Sequence, residues 1–208
     1  MITETDQEQI EMLKRYWREY GRHVLIAILV GVGIGYGWQY WQKIQLQKNQ
    51  EAAMLYHQYT LLAVSHQDPT KQATILKDLE SQYPQSAYAS FANLVAAMDS
   101  IEQNNPDEAL QKLKWVKAHT KDENLADLAA VREARILLAQ HQPQQSLELL
   151  KSMQNSIYQP MVHSLEGDAY TQLGQGDSAR KAYEAARQSY QALGMEDPMD
   201  QLKLSSSH

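Results

Sequence analysis

The sequence predicts an all-α protein: one membrane-spanning helix near the N-terminus, then an α-solenoid of about three to four helix–turn–helix units. Three observations carry that reading. After residue 50 the chain is dominated by Ala, Leu, Gln, Glu and Lys, with few Val or Ile and one Phe in the whole protein, a composition that favours helices over a large sheet. A single stretch, Val24 to Trp41, is apolar and uncharged. Beyond it, helix stop and start signals recur at regular intervals.

In chain order, residues 1–23 read as a cytoplasmic tail, 24–41 as the transmembrane helix and 42–66 as a Gln-rich stalk and first helix. Residues 67–193 read as the repeat domain and 194–208 as a loose tail with a short amphipathic turn at Met199–Leu204. As a helix the run VLIAILVGVGIGYGWQYW spans about 27 Å, close to the ~30 Å hydrocarbon thickness of a bilayer. Tyr16, Trp17 and Tyr20 precede it and Trp38, Tyr40 and Trp41 close it, as amphipathic rings do at membrane–water interfaces. No small-residue cleavage site follows, so a removable signal peptide fits less well. Lys14, Arg15, Arg18 and Arg22 lie before the span and only Lys43 and Lys48 close after it. The positive-inside rule therefore leaves the tail in the cytoplasm and puts the remainder outside, which in a Gram-negative cell is the periplasm. The tail Met1–Arg22 is long enough to bind a cytoplasmic regulator. Gly31, Gly33, Gly35 and Gly37 form two overlapping G-x-x-x-G pairs, spacing that either opens a packing face to another transmembrane helix or reflects the ordinary abundance of Gly in spans.

Composition and motifs also exclude function classes. From Glu51 onward there are 20 acidic against 13 basic residues, the wrong balance for binding a phosphate backbone, so no nucleic-acid role is expected. The chain has no cysteine, which removes disulfides, thiolate metal sites, a cysteine nucleophile and a lipoprotein anchor. His57, His66, His119, His141 and His163 are scattered without metal-ligand spacing, and neither a Walker loop nor a G-x-S-x-G elbow is present. No cofactor, metal or catalytic residue is expected, and the protein reads as a non-enzyme.

The repeat domain is punctuated at Asp68-Pro69, Tyr83-Pro84-Gln85-Ser86, Asn105-Pro106, Gln142-Pro143 and Gly174-Gln175-Gly176-Asp177. Asp68 and Asn105 are N-caps with Pro at the first helical position. The clearest unit runs from Pro160 to Leu193 and resembles the 34-residue tetratricopeptide repeat. Gly167 and Ala179 fill its small positions, Tyr170 and Tyr183 its large ones, Gly174 its turn and Ala186 the small site near its end. His163 and Glu166 depart from it, standing where large apolar residues are expected. Ala109, Leu113 and Val116 follow Asn105-Pro106 in the same register, and Ser146, Leu150 and Met153 follow Gln142-Pro143. A weaker unit centres on Ala73.

Taken together, the chain resembles the YfgM family of proteobacteria over nearly all of its length. The resemblance is carried by Tyr16-Trp17 ahead of Gly21, by the Trp38-Gln39-Tyr40-Trp41 end of the span, by YPQSAYASFANLVAA at 83–97 and by LEGDAYTQLGQGDSARKAYEAA at 165–186. It implies an ancillary subunit of the SecYEG translocon in the inner membrane, with a membrane-anchored periplasmic peptidyl-prolyl isomerase and exported polypeptides as partners and a chaperone or co-chaperone role. The alternative is a tethered scaffold of another envelope assembly with no chaperone activity. In tetratricopeptide domains the concave groove is lined by the first helix of each pair. That register assigns Phe91, Leu94, Met98 and Ile101, then Leu128, Val131, Arg135 and Leu138. The expectation is an apolar groove for a hydrophobic segment or partner helix, with burial of the same residues in the core as the competing outcome.

Overall fold

The computed structural model describes residues 4–65, 67–153 and 156–195, without the side chains of residues 4–13, 16, 24, 27 and 28. Among the described residues there are eight helices and no strand: α1 (Glu4–Ser65), α2 (Pro69–Gln82), α3 (Ala87–Glu102), α4 (Pro106–His119), α5 (Glu123–Ala139), α6 (Pro143–Lys151), α7 (Gln159–Gln172) and α8 (Gly176–Ala192). His66 and the amphipathic turn expected at Met199–Leu204 lie outside the described residues. The chain divides into two units, Met1–Gln50 and Glu51–His208.

The first unit holds α1 up to Gln50. Leu29, Ile34, Tyr36, Trp38, Tyr40 and Trp41 are all exposed, and a Cβ at Gly31, Gly33, Gly35 or Gly37 would meet open space. Among the described residues no helix is long and apolar enough to cross a membrane. Val24, Ala27 and Ile28 of the apolar run 24–41 lie outside the described side chains.

The second unit is a solenoid of helix pairs. It begins at Glu51, and the last part of α1 packs as the first helix of the first pair. Ala52, Tyr59 and Ala63 of α1 pack with Ile75, Leu76 and Leu79 of α2 and Ala89, Ala92 and Ala96 of α3. The next core joins Leu94 and Ala97 of α3 to Ala109, Leu113 and Val116 of α4 and Ala129 and Ile136 of α5. A third joins Val131, Ala134 and Leu138 of α5 to Leu147 and Leu150 of α6 and Val162, Leu165 and Ala169 of α7. Helices α3 and α5 each serve two cores, so stability runs from pair to pair along the solenoid.

Local chemistry starts and stops the helices. Asp68 accepts the Lys71 amide at 2.9 Å and Asn105 that of Glu108 at 3.4 Å, with Pro69 and Pro106 behind them. The α4–α5 break has neither Pro nor Gly; there Asp122 accepts from the amides of Asn124 and Leu125. Within each of the last three pairs the turn is the same. Asn104, His141 and Gly174 adopt φ of 58°, 57° and 71°, and the following amides of Asn105, Gln142 and Gln175 return to the carbonyls of Ser100, Leu137 and Tyr170 at 2.8–2.9 Å. This is a Schellman closure, and only in the last pair does glycine occupy its left-handed residue.

Ala109, Leu113 and Val116 of α4, Ser146 and Leu150 of α6, Met153 just past its end, and Ala179, Tyr183 and Ala186 of α8 are all buried. In α2 the register is displaced by one residue. Ala73 is exposed, and Gln72, Leu76 and Leu79 take the inward positions. The reason is polar: the Gln72 amide donates to Asp99 of α3 at 3.0 Å, so a glutamine serves where later pairs use Ala or Ser. His163 and Glu166, out of pattern for a repeat, are half-buried and hydrogen-bond each other at 3.1 Å.

Helices α7 and α8 approach closely at Gly167. A Cβ there would run into the ring carbons of Tyr183. The Tyr183 hydroxyl donates to Asp168 at 3.0 Å and lies 3.1 Å from the Thr171 hydroxyl. Burial, above all, pushes the Tyr183 pKa up to about 12, with Asp168 adding to the rise and Thr171 opposing it. Tyr59, buried between α1, α2 and α3, is likewise pushed up to about 12 by burial first.

Gly167→Ala is expected to cost about 1–3 kcal/mol in thermal or urea unfolding. Tyr183→Phe should not rescue it, because the clash is with ring carbons, whereas Tyr183→Leu should. His141→Gly should stabilise the domain by up to about 1 kcal/mol and Gly174→Ala should destabilise it by about 1 kcal/mol. Both tyrosines are neutral in the fold, whereas in the unfolded chain they ionise near pH 10. Their contribution is therefore complete below pH 10 and is lost as pH rises toward 12. Urea unfolding between pH 9 and 12 should show that fall, and Tyr59→Phe should make it shallower.

Candidate functional site

Helices α3 and α5, the first helices of successive pairs, leave a cavity of about 540 Å³ between them. Met98, Ile101, Ala97 and Glu102 come from α3, Arg132, Arg135, Ile136 and Ala139 from α5, and Pro106 and Leu113 of α4 lie between. Helical periodicity produces this lining. Met98 and Ile101 are three residues apart on one face, as are Arg132 and Arg135, while Ala97 and Ile136 lie at the edges where each helix turns into the core.

The structure separates the eight groove residues assigned by register. Leu94, Val131 and Leu138 are buried to within 5% of full burial and belong to the cores, not to an open face. Each packs against the second helix of a pair, where small residues let the helices close up. Phe91 and Leu128 are half-buried, with the Phe91 ring 6.0 Å from Tyr56 and 6.4 Å from Tyr88. Met98 and Ile101 remain 51% and 43% exposed, and with Arg135 they line the cavity. The register missed Arg132, Ile136 and Ala139. Their places follow from the way α3 and α5 both pack on α4, for which the sequence carries no signal.

Among the described residues no group of three or more His, Asp and Glu side chains is placed to hold a metal ion. The charged pairs link helices instead. Lys112 meets Glu80 at 3.2 Å, and Lys117 meets the buried Glu133 at 2.8 Å. Gln140 donates to Asp107 and Gln172 to the Leu138 carbonyl, both at 3.1 Å. These bonds tie each pair to the next.

A solenoid of helix pairs with an open, largely apolar cavity between first helices defines a helical-repeat protein of the kind that binds other polypeptides. The family model of a tetratricopeptide repeat-like domain matches residues 14–207, and the chain belongs to that family. Its relatives include proteins named ancillary SecYEG translocon subunits. That of Escherichia coli K12 is 29% identical over 184 residues, 88% of each chain. Those of Aggregatibacter actinomycetemcomitans and Haemophilus influenzae are each 27% identical over 201 residues, 97% of each chain. No solved structure gives a significant match.

The burial difference has a direct consequence. Leu94→Ala should cost about 2–5 kcal/mol in chemical denaturation. The double substitution Met98→Ser with Ile101→Ser should change stability by less than about 1 kcal/mol and leave the circular dichroism spectrum unaltered.

Proposed function

We propose that this chain is an inner-membrane-anchored interaction protein of the Sec translocon, whose repeat domain lies in the periplasm and assists exported polypeptides as a chaperone or co-chaperone adaptor. The observation that carries the reading is the end-to-end match to relatives named as SecYEG subunits, at 97% of both chains in two cases. The cavity between α3 and α5 gives the activity a place: Met98, Ile101 and Ile136 offer apolar surface to a hydrophobic segment or partner helix. The domain works by binding, without catalysis.

The anchor is the run 24–41. Its described apolar side chains are exposed, which favours surroundings as apolar as a bilayer, and the ring centroids of Trp38 and Trp41, 5.4 Å apart, would sit at its interface. The open face at Gly31, Gly33, Gly35 and Gly37 is suited to close approach by a partner span. Tethering then raises the local concentration of the repeat domain beside its partners. A membrane-anchored periplasmic peptidyl-prolyl isomerase is one such partner.

Affinity purification of the full chain in mild detergent, beside a version with residues 24–41 replaced by an unrelated span, tests this. Recovery of SecY, SecE and SecG with a periplasmic isomerase, lost on replacement, is expected. Capture of a different envelope complex would leave a tethered scaffold and overturn the translocon reading. Fragment 44–208 should suppress aggregation of an unfolded model substrate, and alkaline phosphatase fused to the C-terminus should be active only if that end is periplasmic.

A further inference from the structure

The cavity between α3 and α5 has a charged wall that an apolar ligand alone would leave unused. Arg132 and Arg135 lie on one face of α5 and both line it. The Arg132 guanidinium donates to the Leu94 carbonyl at 3.4 Å, a long contact. Among the described residues neither arginine has a carboxylate within ion-pair distance, although Lys112 and Lys117 nearby are both paired. Burial first, and the Arg135 charge second, hold the Arg132 pKa below the usual arginine value. Arg132 is half-buried and Arg135 exposed beside it, and an anionic group placed between them would offset their mutual repulsion and give both a charge-assisted partner. Glu102 lines the same cavity without pairing with either, so the lining keeps a net positive charge.

We propose that the cavity receives an internal polypeptide segment in which an Asp or Glu side chain is flanked by apolar residues. The carboxylate lies against Arg135 and Arg132, and the flanking side chains pack on Met98, Ile101 and Ile136. This specificity rests on the reading of the cavity as the partner-binding surface. Charge complementarity selects the occupant. A polyanion such as nucleic acid or an acidic lipid surface would meet the acidic excess of this domain, 20 acidic against 13 basic residues from Glu51 onward. A single carboxylate within an apolar segment meets only the arginine wall.

Fluorescence anisotropy on the full chain in detergent micelles tests it with three labelled nonapeptides of Leu and Ala. One has a central Glu and blocked ends, one a central Gln and blocked ends, and one a central Gln with a free C-terminal carboxylate. The Glu peptide should bind about tenfold or more tighter than the blocked Gln peptide. Arg135→Gln should abolish that preference while leaving Gln-peptide binding intact, and Arg135→Glu should reverse it in favour of a central-Lys peptide. Equal binding of the Glu and blocked Gln peptides, with both weakened by Met98→Ser and Ile101→Ser, would overturn the acidic specificity and keep the apolar groove. Preference for the free carboxylate alone would overturn the internal-segment assignment. Binding of none of the peptides would overturn the groove reading together with this one. Unchanged thermal unfolding of the variants separates loss of binding from loss of fold.

Discussion

The repeat unit depends on how closely two helices approach at one small residue. In the last pair that residue is Gly167, which admits the Tyr183 ring where a single methyl group would not fit. In the pair before, Ala134 takes the place, and Ser146 of the opposite helix donates to its carbonyl at 3.2 Å inside the core. In the pair before that, Ala97 and Ala109 share a core. Close approach buries the large residues on either side, and the identical left-handed turns at Asn104, His141 and Gly174 set the angle at which the second helix returns.

That constraint propagates. Because α3 and α5 each belong to two cores, the position of one pair fixes the next. The sides of those helices that face neither core are left accessible, and the cavity of Met98, Ile101, Arg132 and Arg135 is the result. The groove is thus a consequence of the packing, lined by exposed residues such as Met98 and Ile101 together with the edge of the core at Ala97, Leu113 and Ile136. The ion pairs and amide bonds between pairs contribute little individually, but they span neighbouring repeats.

Much of this was legible in sequence. Proline behind Asp68 and Asn105 marked helix starts, and the nine register positions in α4, in α8 and in or just past α6 are all buried. Three things were not. Asn104 and His141 do the work of Gly174 without being glycine, since Asn tolerates the left-handed region and the Schellman bonds hold His there. Gln72 replaces a small residue through a hydrogen bond to another helix. The α4–α5 break is made by Asp122 and by Thr120, whose hydroxyl accepts the Asp122 amide at 3.1 Å. In each case the governing partner is a backbone or side-chain group that local pattern does not name.

By itself, the sequence determined the helical class, the pairwise repeat, its register in the last three pairs and the uncharged run 24–41, because these follow from periodicity, capping and composition within a few residues. Tertiary structure decided which apolar residues are core and which are surface. Leu94 and Met98 are four apart on the same helix and equally apolar, yet one is buried and the other half exposed. The difference lies in the crossing of α3 with α4 and α5, and a crossing angle arises from the fit of two surfaces, which no single stretch of sequence contains.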